Sequence, residues 1–387
     1  MKILVGLTYY RPHISGLTIY SERLAKAFVK RGHDVTVLTS RFIPKLPTEE
    51  WMEGVRVVRA PVLMHVSKGV VMPTLGYIAT KLVLEHDVIH LHLPQLDAAG
   101  LALRGRLLRK PTIITYHCDL KMPLGLLSWA ANQAVHFMDN LAAIFTHRIV
   151  AYTEDYAKNS PYLSRYQHKL NVVSPPVELP FVSAKKIHEF AKKNNPNNYR
   201  PVIGMAARFA TEKGVEVLLD ALKRIIDRYP KVQVWFAGPH ENIVGEEGYF
   251  KRLSPIIRAL ERKGSWHFLG VLSLQDMARF YPNLDVLAVP SLNSTEAFGL
   301  VQIEAMMNEI PCVASDLPGV RQPVIRHKMG KIVPIGDSKA LADSIIEMVD
   351  NPSVYKANTL AIKKRYAPKS IAEEYEKLFI EIHDELI

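Results

Sequence analysis

Short apolar runs rich in β-branched residues alternate with amphipathic stretches through the first half of the chain. Lys2–Leu7 and Asp34–Thr39 are typical of buried strands, and Thr18–Arg31 between them places its apolar residues on one helical face. The pattern continues through further strand and helix segments: Val55–Arg59, Val88–Leu91, Ala98–Arg109, Thr112–Tyr116 and Arg148–Tyr152. Strands separated by helices form βαβ units, so we predict a parallel sheet with helices on both faces.

A break in this pattern separates the first half from a second series of the same kind. Consecutive prolines in Val172–Pro176 interrupt regular structure, and the polar, Asn-rich Lys185–Arg200 is expected to be a loop or linker. The alternation then restarts with these segments: Val202–Met205, Val215–Tyr229, Val232–Ala237, Gly248–Lys263, Trp266–Leu269, Val286–Val289, Leu300–Asn308 and Cys312–Ala314. A charged amphipathic stretch, Ser370–Leu386, predicts a final helix that packs across one of the two domains.

The two series predict an α/β protein with two doubly wound, Rossmann-like domains, residues 1–180 and 181–369. The carboxyl ends of both sheets are expected to face a shared central cleft, because open α/β sheets bind their ligands at those ends. The side chains that carry chemistry should therefore lie in the turns that follow strands.

Composition narrows the class of protein. Of the 387 residues, 48% are apolar and 22% are charged, which excludes a disordered or fibrous chain. Two cysteines, Cys118 and Cys312, exclude a disulfide scaffold and a cysteine-based zinc site. No signal-peptide pattern follows the first strand, and the longest stretch without Asp, Glu, Lys or Arg, Met122–Met138, makes a poor spanning helix. We therefore expect a cytoplasmic protein.

The net charge of +11 is distributed unevenly along the chain. Residues 1–180 hold 21 basic and 13 acidic side chains, whereas residues 181–387 hold 28 and 25. A positive excess in one half favours an anionic partner, which the charge alone leaves open as nucleic acid, acidic lipid or a phosphorylated small molecule.

Two carboxylates flank a predicted helix start that follows the apolar strand Val286–Val289. Glu296 precedes the helix and Glu304 lies inside it, while the free N–H groups of residues 299–301 form an anion site at the helix terminus. Carboxylates repel phosphate, so these two are expected to accept hydrogen bonds from the hydroxyls of a ribose or a hexose. The alternative is an acidic first turn and an ordinary surface glutamate.

A second turn between strand and helix carries two cations. Arg208 and Lys213 lie in one loop, where they are placed to hold a diphosphate and to stabilise charge on a departing phosphate. The alternative is that both cations are solvated and flank a helix start without contacting a ligand.

Three weaker signals lie in the first half. Gly16 follows the first strand and permits a close backbone approach, although the full G-x-G-x-x-G fingerprint is absent. His117 at a strand end is placed to bond a sugar hydroxyl or to transfer a proton, with Asp119 orienting it. His90 and His92 share one face of a strand, as a metal pair would, but a structural or substrate-lining role is favoured because no third ligand is evident.

Taken in chain order, these residues resemble a known family. Glu296 and Glu304, with seven residues between them, resemble the E-x7-E motif of the retaining GT-B glycosyltransferases of family four, or glycosyl transferases group 1. The resemblance extends over nearly the whole chain, because the other parts occur in the family's order: the Gly16 loop, His117, Arg208 and Lys213, and the strand end Phe268–Gly270.

The resemblance implies a role for each of these residues. Arg208 and Lys213 would hold the diphosphate of a nucleotide-sugar donor, and with Glu296 and His117 they would form the catalytic set. The implied donor-binding residues are Gly16 at the phosphates, Gly270 and Val271 at the base, Glu304 at the ribose, and Phe298, Gly299, Leu300 and Val301 with Glu296 at the sugar. His117 would line the donor-sugar and acceptor side, where Asp119 is also placed.

The resemblance also implies the reaction. A sugar would pass to a hydroxyl acceptor, which is a lipid, a glycan or a small molecule, with retention of anomeric configuration. Two cations and a helix terminus would stabilise the leaving group, so no metal and no other cofactor is expected. UDP-sugars are the first expected donors and GDP-sugars the second. The C-terminal helix of such enzymes crosses back to the first domain, and residues 370–387 suit that role.

Two positions depart from the family pattern. Ser15-Gly16 stands where the family often has two glycines, and Ala237–His240 replaces the usual acidic, glycine-rich turn. Both departures leave the identity of the donor open.

Other functions remain as alternatives. A GT-B sugar-nucleotide epimerase or a phosphorylase-like enzyme would share the fold, and an epimerase would turn over the nucleotide sugar without an acceptor. A basic nucleic-acid-binding protein would show aromatic residues interleaved on a basic surface or a recognised motif, and neither is present in the sequence. Nucleic acid is therefore the least expected partner.

A basic cluster in the first half suggests one more partner. Arg104, Arg106, Arg109 and Lys110 lie along the end of one helix, and Lys121 precedes the apolar segment Leu124–Phe137. Basic side chains beside an exposed apolar helix favour peripheral binding to an anionic membrane, at its inner face for a cytoplasmic protein. The alternative is a core helix next to an ordinary solvated basic one.

Overall fold

The chain divides into two compact units. Met1–Val177 and Arg365–Ile387 form the first unit, and Glu178–Lys364 forms the second. The computed structural model describes residues 1–66, 69–120, 126–243 and 245–387. The observed divisions lie close to the boundaries expected at 180/181 and 369/370.

The first unit is built on a mostly parallel sheet. Its strands and helices, in chain order, are β1 (Lys2–Gly6), α1 (Gly16–Lys30), β2 (Asp34–Arg41), β3 (Glu49–Met52), β4 (Val55–Pro61), β5 (Met64–Val66), β6 (Gly69–Val71), α2 (Leu75–Glu85), β7 (Val88–Leu93), α3 (Ala98–Leu107), β8 (Thr112–Tyr116), α4 (Leu126–Phe145), β9 (Arg148–Ala151), α5 (Glu154–Asn159) and β10 (Leu170–Val172). Within the described residues an eight-stranded sheet has the order β10-β9-β8-β7-β1-β2-β4-β3. Its neighbours pair in parallel except β3 with β4, and β5 and β6 form a separate antiparallel hairpin.

The second unit repeats this plan with a smaller sheet. Its elements are α6 (Ala184–Asn194), β11 (Val202–Ala206), α7 (Val215–Arg228), β12 (Gln233–Ala237), α8 (Glu247–Arg262), β13 (Trp266–Gly270), α9 (Leu274–Phe280), β14 (Val286–Val289), α10 (Leu300–Met306), β15 (Cys312–Ser315), α11 (Gln322–His327), β16 (Gly330–Val333) and α12 (Ser338–Asp350). The six strands run in parallel in the order β13-β12-β11-β14-β15-β16. The predicted α/β class and the two doubly wound sheets are therefore confirmed.

The chain ends with two helices, α13 (Thr359–Tyr366) and α14 (Pro368–Leu386). Helix α14 belongs to the first unit because its apolar residues recur every three or four positions and are buried there. The Tyr375 hydroxyl bonds to the Tyr20 hydroxyl at 2.7 Å and to Thr115 Oγ1 at 2.6 Å, which ties α14 to α1 and to β8. On the surface, Arg31 donates to Glu376 and Glu373 of the same helix.

One predicted loop is a helix. Lys185–Arg200 was expected to be irregular because of its polar, Asn-rich composition, but α6 occupies Ala184–Asn194. Its Ile187 and Phe190 lie three residues apart and face the rest of the unit: Phe190 contacts the Trp235 ring, and the Ile187 carbonyl accepts from Asn283. The asparagines that suggested a loop lie at the helix end and beyond it, so the apolar spacing was the better guide.

The prediction of membrane binding depends on residues near the start of α4. Lys121 and residues 124–125, where the apolar segment was expected to begin, lie outside the described residues. The helix that follows, α4, extends from Leu126 to Phe145. None of the helices in the described part of the chain is both long enough and apolar enough to span a membrane.

Candidate functional site

The two loops that carry the predicted cations and the first glutamate meet at one edge of the second sheet. β11 and β14 are parallel neighbours, so the loops that follow them emerge side by side. Lys213 Nζ lies 2.6 Å from Glu296 Oε2, and the two side chains are 17% and 20% exposed. Residues predicted separately from two turns thus form one ion pair.

A glycine sets the distance between these loops. Gly214 has a φ of +67°, and a Cβ added there would lie 2.1 Å from the Pro290 carbonyl oxygen. Only glycine allows the two backbones to approach this closely without strain. Beside this contact the Leu292 N–H donates to the Glu212 carbonyl at 2.9 Å, so the loops are joined by backbone as well as by side chains.

Arg208 is held at the outer side of the same loop. Its guanidinium, 42% exposed, donates to the Glu212 carboxylate four residues later. Burial raises the pKa of Glu212, but the nearby Arg208 guanidinium and hydrogen bonds outweigh that cost and leave its pKa below the ordinary value. Glu246, just before α8, anchors the loop, because its Oε2 accepts from Thr211 N at 3.0 Å and from Thr211 Oγ1 at 2.7 Å.

The loop before α10 is ordered by its own polar residues. Asn293 Oδ1 accepts from Thr295 N at 3.1 Å and from Thr295 Oγ1 at 2.7 Å, and the Asn293 carbonyl accepts from Glu296 N at 3.2 Å. This turn directs the Glu296 side chain toward Lys213. No structural role for Asn293 was predicted from the sequence, although an Asx turn is a common use of asparagine at such a place.

Helix α10 brings the second glutamate under this loop. Glu304 is 7% exposed, and its Oε2 accepts a hydrogen bond from the Tyr281 hydroxyl at 2.7 Å. Phe298 and Gly299 are buried where the helix begins, and Leu300 and Val301 are half-buried in its first turn. The first-turn amides of a helix have no intrahelical acceptor, so the predicted donors remain directed out of the helix end.

The predicted base-side residues connect to the Arg208 loop through the turn after β12. Gly238 N donates to the Gly270 carbonyl at 2.8 Å, and Phe209 N donates to the Pro239 carbonyl at 2.8 Å. Gly238 has a φ of +142°, and a Cβ there would lie 1.9 Å from the Ala207 carbonyl oxygen. Val271, just beyond, is 58% exposed. Gly270 and Val271 therefore lie on the same sheet edge as Arg208.

In the first unit, His117 occupies a different environment from the one expected. The ring is 7% exposed; its Nε2 bonds with His92 Nδ1 at 2.8 Å and its Nδ1 bonds with the Tyr152 hydroxyl. Burial lowers the pKa of His117 well below its usual range, and nearby His92 lowers it further. Both ring nitrogens are thus bonded to protein groups and the imidazole is uncharged at neutral pH.

Asp119 does not orient His117, and this part of the prediction is wrong. Asp119 Oδ1 accepts from the Tyr116 hydroxyl at 3.1 Å and from Ser160 Oγ at 2.6 Å. The side chain at position 119 leaves the strand end toward α5, whereas His117 turns toward the neighbouring strand β7. Successive side chains after a strand point in different directions, and the partner of each is chosen by the element that packs there.

His90 bonds to a side chain of β8, and His92 bonds to the residue that follows β8. His90 Nε2 lies 2.7 Å from Thr115 Oγ1, and His92 bonds to His117. Among the described residues no group of three or more His, Cys, Asp and Glu side chains is arranged to hold a metal ion. Both imidazoles are buried and serve as partners in a hydrogen-bonded network of the first unit.

Gly16 begins α1 in an open position. Ser15 caps the helix by accepting from Thr18 N at 3.2 Å, and Gly16 itself is exposed. A Cβ added at Gly16 would meet no atom within 4 Å. The structure of the chain alone therefore does not require glycine here.

Profiles of two families match consecutive parts of the chain. The profile described as Glycosyltransferase Family 4 matches residues 14–181, and the one described as Glycosyl transferases group 1 matches residues 186–367. Together they span most of both units.

Individual relatives match this chain over most of their length. A phosphatidyl-myo-inositol mannosyltransferase of Mycobacterium tuberculosis is 26% identical over 381 residues, which cover 94% of this chain and 92% of the relative. An uncharacterised glycosyltransferase of Methanocaldococcus jannaschii is 25% identical over 348 residues, which cover 86% of this chain and 84% of the relative.

The fold is also similar to that of solved structures. Anabaena HepE in complex with UDP-glucose superimposes with a TM-score of 0.77 at 19% identity, covering 98% of this chain and 100% of that one. With both profiles matched in order and two Rossmann-like units present, this chain belongs to the group 1, family four glycosyltransferases of GT-B fold.

Proposed function

We propose that this glycosyltransferase moves a sugar from a nucleotide-diphosphate sugar to a hydroxyl acceptor, with retention of anomeric configuration and without a metal ion. The observation that supports this most directly is the contact of Lys213 with Glu296, beside Arg208, at the carboxyl edge of the second sheet. That edge is where open α/β sheets bind nucleotides.

The charges of the site fit a diphosphate next to a sugar. Lys213 and Arg208 are each paired with a glutamate, so both cations stay in place before a ligand arrives. A bound diphosphate would share them with those carboxylates, while Glu296 would accept from hydroxyls of the donor sugar and Glu304 from the ribose. The amides of residues 298–301 and the Gly16 turn would approach the phosphate oxygens, and Gly270 and Val271 would border the base.

The same groups would support the chemical step. As the bond between the sugar C1 and the phosphate oxygen breaks, negative charge grows on the diphosphate, and Arg208 and Lys213 stabilise it. The acceptor hydroxyl attacks C1 from the same face, and its proton passes to the departing phosphate oxygen. We assign His117 and Asp119 to the acceptor side as residues that shape the site, because neighbouring side chains bond to both ring nitrogens of His117 and to Oδ1 of Asp119.

The comparisons suggest which substrates to test first. The Anabaena structure of similar fold holds UDP-glucose, so UDP-sugars are the first proposed donors and GDP-sugars the second. The mycobacterial relative acts on phosphatidyl-myo-inositol, so a lipid acceptor is tested before a glycan. Such an acceptor would place the protein at the cytoplasmic face of an anionic membrane.

A thermal-shift screen followed by a product assay tests this proposal. UDP, GDP and ADP and their sugars are added to the full chain, and the correct nucleotide raises the melting temperature by mass action. Product formation is then measured with lipid and glycan acceptors, with and without EDTA, and the anomeric configuration is read by NMR. Absence of any nucleotide shift would contradict the donor site, and turnover without an acceptor would favour an epimerase.

A further inference from the structure

A groove in the first unit is lined by none of the residues proposed above to bind the donor or the acceptor. It has a volume of about 500 Å³ and is bordered by α2, α3 and α4. Its lining is mostly apolar and includes Met72, Leu75, Ala79, Leu96, Leu101 and Phe137. The volume falls within the range of about 300–1,000 Å³ that is usual for sites of small organic ligands.

The groove contains one guanidinium without a carboxylate partner. Arg104 donates to the carbonyls of Gly76 at 3.1 Å and Gly100 at 2.8 Å, and to Thr80 Oγ1 at 2.8 Å. No carboxylate in the described part of the chain lies within ion-pair distance of it. A guanidinium has five N–H donors, so these three bonds fix the group and leave two donors for a ligand.

The other charged lining residue lies at the far end of α3. Asp97 precedes the helix, about 10 Å along its axis from Arg104. Burial raises the pKa of Asp97 to about 6. Arg106 and Arg109, farther toward the helix end, are exposed and outside the lining, so the positive charge of the lining comes from Arg104.

We propose that this groove binds one acyl chain of an anionic lipid, with the phosphate of the head group on Arg104. An apolar channel with a fixed, unneutralised cation at one end matches a ligand with an apolar body and an anionic head. The site needs neither a donor nor the transfer reaction, so it stands independently of the proposed function. It gives the basic charge of residues 1–180 a specific lipid contact in addition to general attraction to a membrane.

Calorimetric titration of the full chain with a monomeric lipid tests the proposal. The probe is lauroyl lysophosphatidate below its critical micelle concentration, and the expected result is saturable binding of one molecule per chain. Lauroyl lysophosphatidylcholine should bind more weakly by about tenfold, because a charge-assisted bond is weakened, and glycerol phosphate should show no binding. Each methylene removed from the chain should weaken binding by about fourfold.

Variants locate the site. Ala134 lines the groove and is exposed, so Ala134→Trp fills it without disturbing the core, and Leu96→Asp places a charge on the opposite wall. Both should weaken binding by at least about tenfold, which corresponds to the loss of two buried methylenes or more. Arg104→Gln should abolish the preference for lysophosphatidate over lysophosphatidylcholine.

Leu107→Ser is the matched control, because Leu107 is on the same helix, 72% exposed and outside the lining. It should bind lysophosphatidate like the wild type. Equal loss in the control, unchanged binding in both groove variants, or binding without saturation would overturn the proposal. A donor-induced thermal shift that persists in Ala134→Trp shows that the variant is folded and that its lipid defect is separate from the donor site.

Discussion

The candidate residues of the two units differ in how they are held. In the second unit, Lys213 and Glu296 form an ion pair whose side chains are 17% and 20% exposed, and Arg208 pairs with Glu212 nearer the surface. In the first unit, His117 and Asp119 are each 7% exposed and bond to imidazole and hydroxyl groups that are themselves buried.

This difference distinguishes side chains that are held so that a ligand can bind them from buried side chains that position their neighbours. A partly exposed ion pair has a small net free energy, so a charged ligand can replace one partner at low cost. A buried hydrogen-bonded network costs more to open, because each group that loses its partner is left unsatisfied. We therefore expect substitutions of the ion-paired side chains in the second unit to act on turnover, and substitutions within the buried hydrogen-bonded network of the first unit to act on stability and its pH dependence.

The largest expected effect is on turnover in Lys213→Ala. Removal of the cation leaves the leaving-group charge without one of its stabilising groups, so turnover should fall by about 100-fold to 1,000-fold. Lys223→Ala is the control, since Lys223 forms a surface pair with Asp220 in the same unit. Steady-state rates of both variants test this prediction, and near-normal turnover in Lys213→Ala would remove Lys213 from the catalytic set.

Next in size is the effect of Gly214→Ala on stability. The positive φ and the close Pro290 carbonyl should cost about 2 kcal/mol or more of unfolding free energy. The Cβ added in Gly16→Ala meets no neighbouring atom, so the free energy of unfolding of this variant should change by less than about 0.5 kcal/mol.

Urea unfolding measures both glycine variants, and transfer assays complete the comparison. If Gly16 meets the donor phosphates, Gly16→Ala loses turnover at unchanged stability. Full activity in a stable Gly16→Ala variant would contradict that role.

The buried histidines should make stability depend on pH. Burial lowers the pKa of His92 to about 3, whereas an unfolded histidine titrates near 6.5. Between these values the unfolded chain binds a proton that the folded chain does not, so the stability contributed by neutral His92 is lost as pH falls through this window.

His92→Gln removes that titration. The stability of the wild type relative to the variant should therefore decline by about 1.4 kcal/mol per pH unit below about pH 6.5. Urea unfolding of both proteins from about pH 7.5 to about pH 4.5 provides the test. Parallel pH curves would show that His92 is accessible to protons in the folded state.

The smallest expected effect is that of Tyr281→Phe. The Tyr281 hydroxyl fixes Glu304 Oε2, so its loss should raise KM for the donor by about threefold to tenfold with kcat within about twofold. Tyr229→Phe is a control, because Tyr229 bonds to Asp350 on the surface of the same unit. A fall in kcat at unchanged KM would place Glu304 in the chemical step rather than in donor binding.

Local pattern predicted many elements well. The strands Thr112–Tyr116 and Val286–Val289 begin and end at the predicted residues, because an apolar strand between turns leaves few other interpretations. Helix α6 was missed because its apolar face is narrow and its partners, Trp235 and Asn283, are distant in the chain.

The site was predicted in part. The residue types in the turns after β11 and β14 indicated a diphosphate and a sugar, and no local signal showed that Lys213 would pair with Glu296. Tyr281 and Glu246 were also missed. Glu246 reaches the site from the position just before α8 and Tyr281 from the turn after α9, and nothing in the turns that they support specifies them.

The sequence by itself determined the class of fold and the chemistry of each turn, because apolar periodicity and residue type act between close neighbours in the chain. Only the tertiary structure decided which charges meet. The sheet order puts β11 beside β14 and so brings together Lys213 and Glu296, which are 83 positions apart in the chain. The packing of β7 against β8 makes His92, rather than Asp119, the hydrogen-bond partner of His117. Contacts of this kind depend on the order of strands, which local patterns do not encode.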